Sequence, residues 1–394
     1  MRVLMTTWGL RSHFYSLVPL GWALQAAGHE VRVGSHPSMA GEITRAGLAA
    51  VPLGEDLDFA EVFAGQIGRV GQLAEGAGRA GGTMEPAITA DGGVVRFARA
   101  LLGDLISFGR AYRPELLVWE PFNLAGPVAA AVLGVPGVLQ LWGPDSAVSL
   151  RMDPEQVIGP LASEFRLDAS DVSLTGQLVL DPVPAPMQVE VSAPARASRY
   201  VPYNGTAIVP EWLRGPAPSR PRVCITGGTS MGGARPRAVL DLAAITRAVA
   251  GLDVEVVVVA EAAQLANLGR LPGNVRLAEA PLALRLVLPS CAVLVQHGGA
   301  GTMMTGLACG VPQLILPHVS DEHFNGERLA AAGAGTWLDG PGADGGTIRD
   351  VVAELAGDGR WRRSAAAMAT SIRAMPPPAE VVPALASLAS LAAG

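Results

Sequence analysis

The first half of the chain alternates short β-branched apolar runs with longer stretches whose apolar residues recur at helical spacing. Val3 to Thr7 predicts a strand, Phe14 to Ala27 a helix closed by Gly28, and Glu30 to Gly34 a second strand. A helix over Ser38 to Ala46 and a short strand over Ala49 to Leu53 follow. After an irregular stretch, Val94 to Tyr112 predicts a helix, Glu115 to Trp119 a strand, Leu124 to Leu133 a helix and Gly137 to Leu141 a strand. The segment Leu180 to Pro186 is proline-rich and reads as extended. Tyr200-Val-Pro-Tyr-Asn-Gly-Thr then enters a linker carrying Pro210, Pro216, Pro218 and Pro221. Beyond it the pattern restarts, with Arg222-Val-Cys-Ile-Thr matching Arg2-Val-Leu-Met-Thr in character. Strand, loop, helix, strand is the opening of a doubly wound parallel sheet, so the expected α/β architecture is two Rossmann-like domains facing across a cleft. The expected boundaries are 1–205, a linker over 206–220, 221–375, and a tail over 376–394 that packs back on the first domain.

In the second half, strands are predicted over Val223 to Thr226 and Glu255 to Ala260, with a helix over Arg237 to Ala250. The most informative unit is Ala292 to Leu316: a buried strand to Val295, the glycine turn Gln296-His297-Gly298-Gly299-Ala300-Gly301-Thr302, a helix to Gly310 and a strand over Gln313 to Leu316. Three glycines let the backbone turn sharply at the N-terminus of a helix, where amide N–H groups and the helix dipole favour an anion. With His297 as the first polar residue, the predicted anion is a diphosphate. A ligand-free glycine turn has the same local sequence. The turn is neither a dinucleotide fingerprint, because Met304 stands where the third glycine would be, nor a P-loop, because no Lys-Ser or Lys-Thr pair follows. A nicotinamide-dependent oxidoreductase is disfavoured on that ground.

Composition narrows the picture. The 394 residues are 49% hydrophobic and 16% charged, enough for a large core and more than one ordinary domain needs. A net charge of -6 argues against a nucleic-acid groove or a membrane-surface role. Cys224, Cys291 and Cys309 sit in apolar segments without metal spacing, as expected of free thiols in a reducing cytoplasm. No metal site is predicted. The N-terminus enters a strand directly, and the apolar region Val128 to Trp142 is interrupted by Gly134 and Pro136, so neither a signal peptide nor a membrane span is expected. Gly54 to Gly93, rich in glycine, alanine and acidic residues, reads as a mobile flap.

Three groups of residues carry a family resemblance. They are Ser12-His13-Phe14-Tyr15-Ser16-Leu17-Val18-Pro19-Leu20 with Ala27-Gly28-His29-Glu30-Val31; the hinge Tyr200-Val-Pro-Tyr-Asn-Gly; and Val295-Gln-His-Gly-Gly-Ala-Gly-Thr with Gly310-Val-Pro-Gln. The sequence resembles the GT-B fold, family 1 glycosyltransferases of bacterial antibiotic tailoring over essentially its whole length. It is most similar to those attaching deoxysugars or aminosugars to macrolide and aromatic polyketide aglycones. The resemblance implies an inverting, metal-independent transfer from a dTDP-deoxysugar to a polyketide aglycone in the cytoplasm, with no cofactor, and it leaves room for an activator protein and for a homodimer.

It also implies roles for residues. His13 is the expected general base; Ser12 can cap the helix that follows, and a neutral imidazole in a first helical turn suits proton abstraction near pH 7. Glu120 is the expected carboxylate that orients it, with a solvated strand-end glutamate as the plainer reading. Asp145, in Trp142-Gly-Pro-Asp, is the alternative base for a C-glycosyltransferase or a phenol acceptor, or a turn residue beside Pro144. The diphosphate is expected between His297, the Gly298, Gly299, Ala300, Gly301 and Thr302 amides, and Thr229-Ser230. Relatives that use UDP-sugars commonly carry a ribose-binding glutamate eight residues after the motif histidine; here that position is Thr305, which favours dTDP. Asp321 and Glu322 are the expected donor-sugar contacts. A non-catalytic nucleotide-sugar-binding auxiliary protein is the competing reading.

Overall fold

The computed structural model describes residues 1–59, 61–63, 89–145, 153–189, 191, 193–216, 218–228, 240–279, 282–318 and 320–392. The chain forms two compact units. The first comprises Met1–Pro182, Val189–Arg199 and Pro376–Gly394, and the second Val183–Gln188 and Tyr200–Met375. The division therefore falls at Arg199/Tyr200, ahead of the expected 206–220 linker, and a six-residue piece of the expected first domain belongs to the second unit. The physical reason lies in that piece. Val183 and Met187 are buried with Met303, Met304 and Leu307, and the Arg328 guanidinium donates to the carbonyls of Pro186, Met187 and Gln188.

The first unit runs β1 (Arg2–Thr6), α1 (Arg11–Ala26), β2 (Glu30–Ser35), α2 (Ala40–Arg45), β3 (Ala49–Pro52), α3 (Gly93–Tyr112), β4 (Leu116–Trp119), α4 (Ala125–Leu133), β5 (Gly137–Gln140), α5 (Pro154–Ala162), β6 (Leu178–Asp181) and β7 (Ala195–Ala197). Its seven strands are all parallel, in the order β3-β2-β1-β4-β5-β6-β7. Every residue of β4 and β5 is buried, as strands covered on both faces require. Trp119 at the end of β4 is 2% exposed; a Cβ on Gly126 or Gly137 would run into its ring, so these glycines leave it room. Truncating a ring buried this way costs about 3–5 kcal/mol.

The second unit runs β8 (Arg222–Ile225), α6 (Leu242–Ala250), β9 (Glu255–Ala260), α7 (Ala262–Leu265), β10 (Val275–Glu279), α8 (Leu284–Val287), β11 (Val293–Gln296), α9 (Ala300–Cys309), β12 (Gln313–Ile315), α10 (Ser320–Ala331), β13 (Gly335–Trp337), α11 (Gly345–Gly357) and α12 (Gly359–Ala374). Its parallel sheet has the order β10-β9-β8-β11-β12-β13. The last helix, α13 (Pro378–Ala392), belongs to the first unit and packs on α1.

Both sheets reverse their strand order between the first strand and the fourth, and the loops at the carboxyl ends of those two strands flank a crevice in open α/β sheets. In the first unit the pair is β1 and β4, in register from Val3↔Leu116 to Thr6↔Trp119. In the second it is β8 and β11, in register from Val293↔Val223 to Val295↔Ile225. The sequence-predicted site residues His13, Glu120 and His297 all follow one of these four strands.

Candidate active site: two switch points

In the first unit, α1 starts at Arg11 rather than Phe14, with Leu10 at the N-cap and no side-chain cap. Ser12 lies inside the helix, so it does not take the capping position expected of it. The earlier start puts His13 in the first turn, and its ring reaches the end of β4. His13 Nδ1 is 2.9 Å from Glu120 Oε2. Glu120 is fully buried. Its Oε2 also accepts the Phe122 backbone N–H at 2.9 Å and the Trp142 indole N–H at 3.3 Å, and Thr7 donates to Oε1 at 3.5 Å. A buried carboxylate is tolerated only when its oxygens are bonded in this way. Because the carboxylate accepts from Nδ1, the lone pair of a neutral imidazole is on Nε2.

The rest of the His13 surroundings is aromatic. Trp8 meets its ring edge-on at 5.0 Å between centroids, Trp142 edge-on at 5.4 Å and Phe122 at 5.4 Å. Trp8 in turn stands edge-on to Phe59, Phe63 and Phe97. Asp145 is 6% exposed and follows Trp142 by three residues. The aromatic wall has little signal in the sequence, because its members come from β1, α3, β4 and β5 ends and from the start of the 54–93 segment. Most of that segment, residue 60 and 64–88, lies outside the described residues.

In the second unit, His297 directly follows β11, and its side chain is 11% exposed. A Cβ on Gly228 or on Gly299 would collide with the imidazole, so both glycines are needed for the ring to lie where it does. Burial, and next the charge of neighbouring His318, push the His297 pKa down to about 4. Its buried Nδ1 has no hydrogen-bond partner among the described residues. Its Nε2 is 3.9 Å from Glu322 Oε1.

Gly298 has φ +113°, and a Cβ there would lie 2.7 Å from Glu322 Cβ. Its N–H donates to Gln296 Oε1 at 2.8 Å, so this amide faces inward. Gly299 is the N-cap of α9 without a side-chain cap, and the first backbone bond of the helix is Met303 N–H to Gly299 C=O. The N–H groups of Ala300, Gly301 and Thr302 consequently have no intrahelical acceptor. An imidazole and a first helical turn of this kind form a donor set for an oxyanion.

Thr305 is fully buried. It donates to Gly301 C=O at 2.7 Å, accepts from Asn204 Nδ2 at 3.1 Å and lies 3.1 Å from the Tyr200 hydroxyl. Its hydroxyl thus ties the first turn of α9 to the Tyr200–Asn204 segment. Glu322 is 6% exposed, and its Oε2 accepts the His318 N–H at 2.7 Å. Asp321 stands in the first turn of α10. Thr229 and Ser230 lie outside the described residues. No group of residues suited to a metal ion occurs among the described residues, and no helix there is long and apolar enough to cross a membrane.

The model of the erythromycin biosynthesis protein CIII-like N-terminal domain matches residues 22–228, and that of the C-terminal domain of the same family matches residues 243–388. The chain belongs to this family. Similar proteins align with the chain of this erythromycin biosynthesis protein CIII-like family along nearly its whole length. The chain is 36% identical to TDP-daunosamine transferase of Streptomyces peucetius over 98% of this chain and 97% of that protein. It is 35% identical to 10-deoxymethynolide desosaminyltransferase of Streptomyces venezuelae, over 99% and 97%. Among solved structures, a glycosyltransferase in complex with dTDP superposes with a TM-score of 0.78 at 32% identity, over 99% of this chain and 100% of that one. A spinosyn rhamnosyltransferase complexed with spinosyn aglycone gives 0.80 at 30% identity, over 98% and 100%. The fold is therefore the GT-B fold expected from the sequence, and the family is one of glycosyltransferases. His13 precedes the span matched by the N-terminal model, whereas Glu120, His297 and α10 lie within the matched spans.

Proposed function

We propose that this chain is an inverting, metal-independent transferase that moves a deoxysugar from a dTDP-sugar to a hydroxyl of a polyketide aglycone. The observation that carries the reading is the His13–Glu120 pair, an imidazole with one nitrogen fixed by a buried carboxylate among aromatic rings. Relatives named as TDP-daunosamine and desosaminyl transferases, and a related structure holding dTDP, support the substrate class.

The reaction forms one bond and breaks one. The acceptor oxygen attacks the anomeric carbon, its proton passes to His13 Nε2, and the anomeric C–O bond breaks with its electron pair leaving on dTDP. A single displacement inverts the anomeric configuration. Glu120 keeps the tautomer and stabilises the imidazolium that forms; positioned proton transfer of this kind contributes about 10²–10⁴-fold. The charge growing on the diphosphate is met by His297, by the Ala300, Gly301 and Thr302 amides and by the α9 dipole, with Asp321 toward the sugar.

The test is a transfer assay in EDTA with purified protein, a dTDP-deoxysugar and a polyketide alcohol, the product read by NMR. We expect a glycoside of opposite anomeric configuration, formed at the rate seen with added Mg²⁺. A retained configuration refutes the single displacement, and a rate that needs Mg²⁺ refutes the metal-free leaving group. Dinucleotide or sugar-nucleotide binding with no transfer to any acceptor refutes the enzyme itself.

A further inference from the structure

We infer that Asn325 is the positioning residue of the diphosphate site, holding the glycine turn in the one orientation that presents its amides to the leaving group. The inference rests on the proposed function and extends it to a residue that touches no substrate. Gly298 is held through both of its backbone polar groups. Its N–H is bonded to Gln296 Oε1 at 2.8 Å, and its C=O accepts from Asn325 Nδ2 at 2.8 Å.

These two clamps come from opposite sides of the turn. Gln296 is the last residue of β11, and its Nε2 donates to Gln313 Oε1 in the neighbouring strand β12. Asn325 is 2% exposed and sits one helical turn after Glu322 on α10. Glu322 backs the Gly298 Cα so closely that no side chain fits there. The Gly298 C=O belongs to the same peptide plane as the Gly299 N–H, because the peptide is flat. Fixing the carbonyl on Asn325 therefore fixes the direction of the next amide and the entry angle of α9. Without the Asn325 amide, a carbonyl in a glycine peptide at positive φ is free to rotate, and the donors lose their common aim. Preorganised donors matter most where charge develops, so the effect falls on phosphate-bearing ligands.

The experiment compares wild type with Asn325→Leu, which keeps the volume but removes the donor, and Asn325→Ala. Binding of dTDP and of thymidine is titrated by NMR, with melting curves as the check of folding. We expect a loss of dTDP affinity of about tenfold in both variants, the scale of one hydrogen bond in an anion site, with thymidine affinity unchanged. A second expectation is that kcat falls along with dTDP affinity. Folded variants that bind dTDP as wild type does overturn the inference. So does an equal loss for dTDP and thymidine, which would mark Asn325 as a general structural residue. Wild-type protein that binds no dTDP would overturn the functional reading first, and this inference with it.

Discussion

Glu120 and His297 occupy equivalent places in two sheets of the same topology. Each directly follows the strand on which the order reverses, β4 in one unit and β11 in the other. Their surroundings differ in kind. Glu120 is saturated with donors, from His13, Phe122, Trp142 and Thr7. His297 is enclosed by glycine backbone, has one nitrogen without a partner among the described residues and is kept neutral by burial. One switch point is thus complete in itself, which suits the proposed proton transfer to its histidine. The other has donors unused among the described residues, which suits the proposed binding of an anion brought by the ligand. The same backbone geometry serves either purpose, and the side chain placed after the fourth strand decides which.

A large effect expected within this contrast is at Glu120, second only to loss of the His13 ring itself. Glu120→Gln keeps the shape but removes the charge that would stabilise the imidazolium, so kcat should fall by about 10²-fold or more while dTDP affinity stays at the wild-type value. Steady-state kinetics together with a dTDP titration check this. A kcat close to wild type would mean that the carboxylate is a packing feature only.

A smaller effect concerns pH. The His297 pKa lies near 4 in the folded protein against 6.5 ordinarily, so the unfolded chain binds more protons in between. Stability is unaffected above about pH 6.5, and is lost progressively as pH falls from about 6.5 to about 4, by up to roughly 3 kcal/mol for this group. His36 and His318 are shifted in the same direction by burial and add to the slope. Melting curves of wild type and His297→Gln between pH 7 and pH 4.5 should show a shallower loss in the variant. An unchanged slope would mean that His297 is as easily protonated as a solvated histidine.

How much of this was legible beforehand follows from where the stabilising contacts lie along the chain. Strands β1, β4, β8, β9 and β11 are built on continuous apolar runs, because both faces of a parallel sheet are covered, and the sequence marks them clearly. Strand β6 is followed directly by Pro182 and Pro184, which give it the look of an extended linker. Strand β7 is three exposed edge residues, Ala195-Arg-Ala, with no hydrophobic pattern to find. Helix α5 has Pro154 at its start and Pro160 inside it, and its Asp153 N-cap was the one available sign.

At the sites, the glycine turn is local and could be read as an anion loop from its own residues. The helix start at Arg11 could not be read, since Arg11, Ser12 and His13 contribute no apolar period. The roles of His13 and Glu120 came from the family likeness, because a contact across 107 residues leaves no local trace. The same holds for Trp142 on Glu120 and for Asn325 on Gly298, the latter 27 residues apart. Glu322 is the instructive case. Its place after Asp321 suggests a sugar contact, and its burial and its bond to the His318 N–H are features that the sequence did not signal.

The central claim is a division of labour between the two histidines, and the most direct test measures both functions on both variants. For His13→Ala and His297→Ala, single-turnover transfer rate and dTDP affinity are determined side by side. The account predicts that His13→Ala loses about 10³-fold in rate with dTDP affinity intact, and that His297→Ala weakens dTDP binding by about tenfold or more. Full transfer by the His13 variant, or undiminished dTDP affinity in the His297 variant, would contradict it.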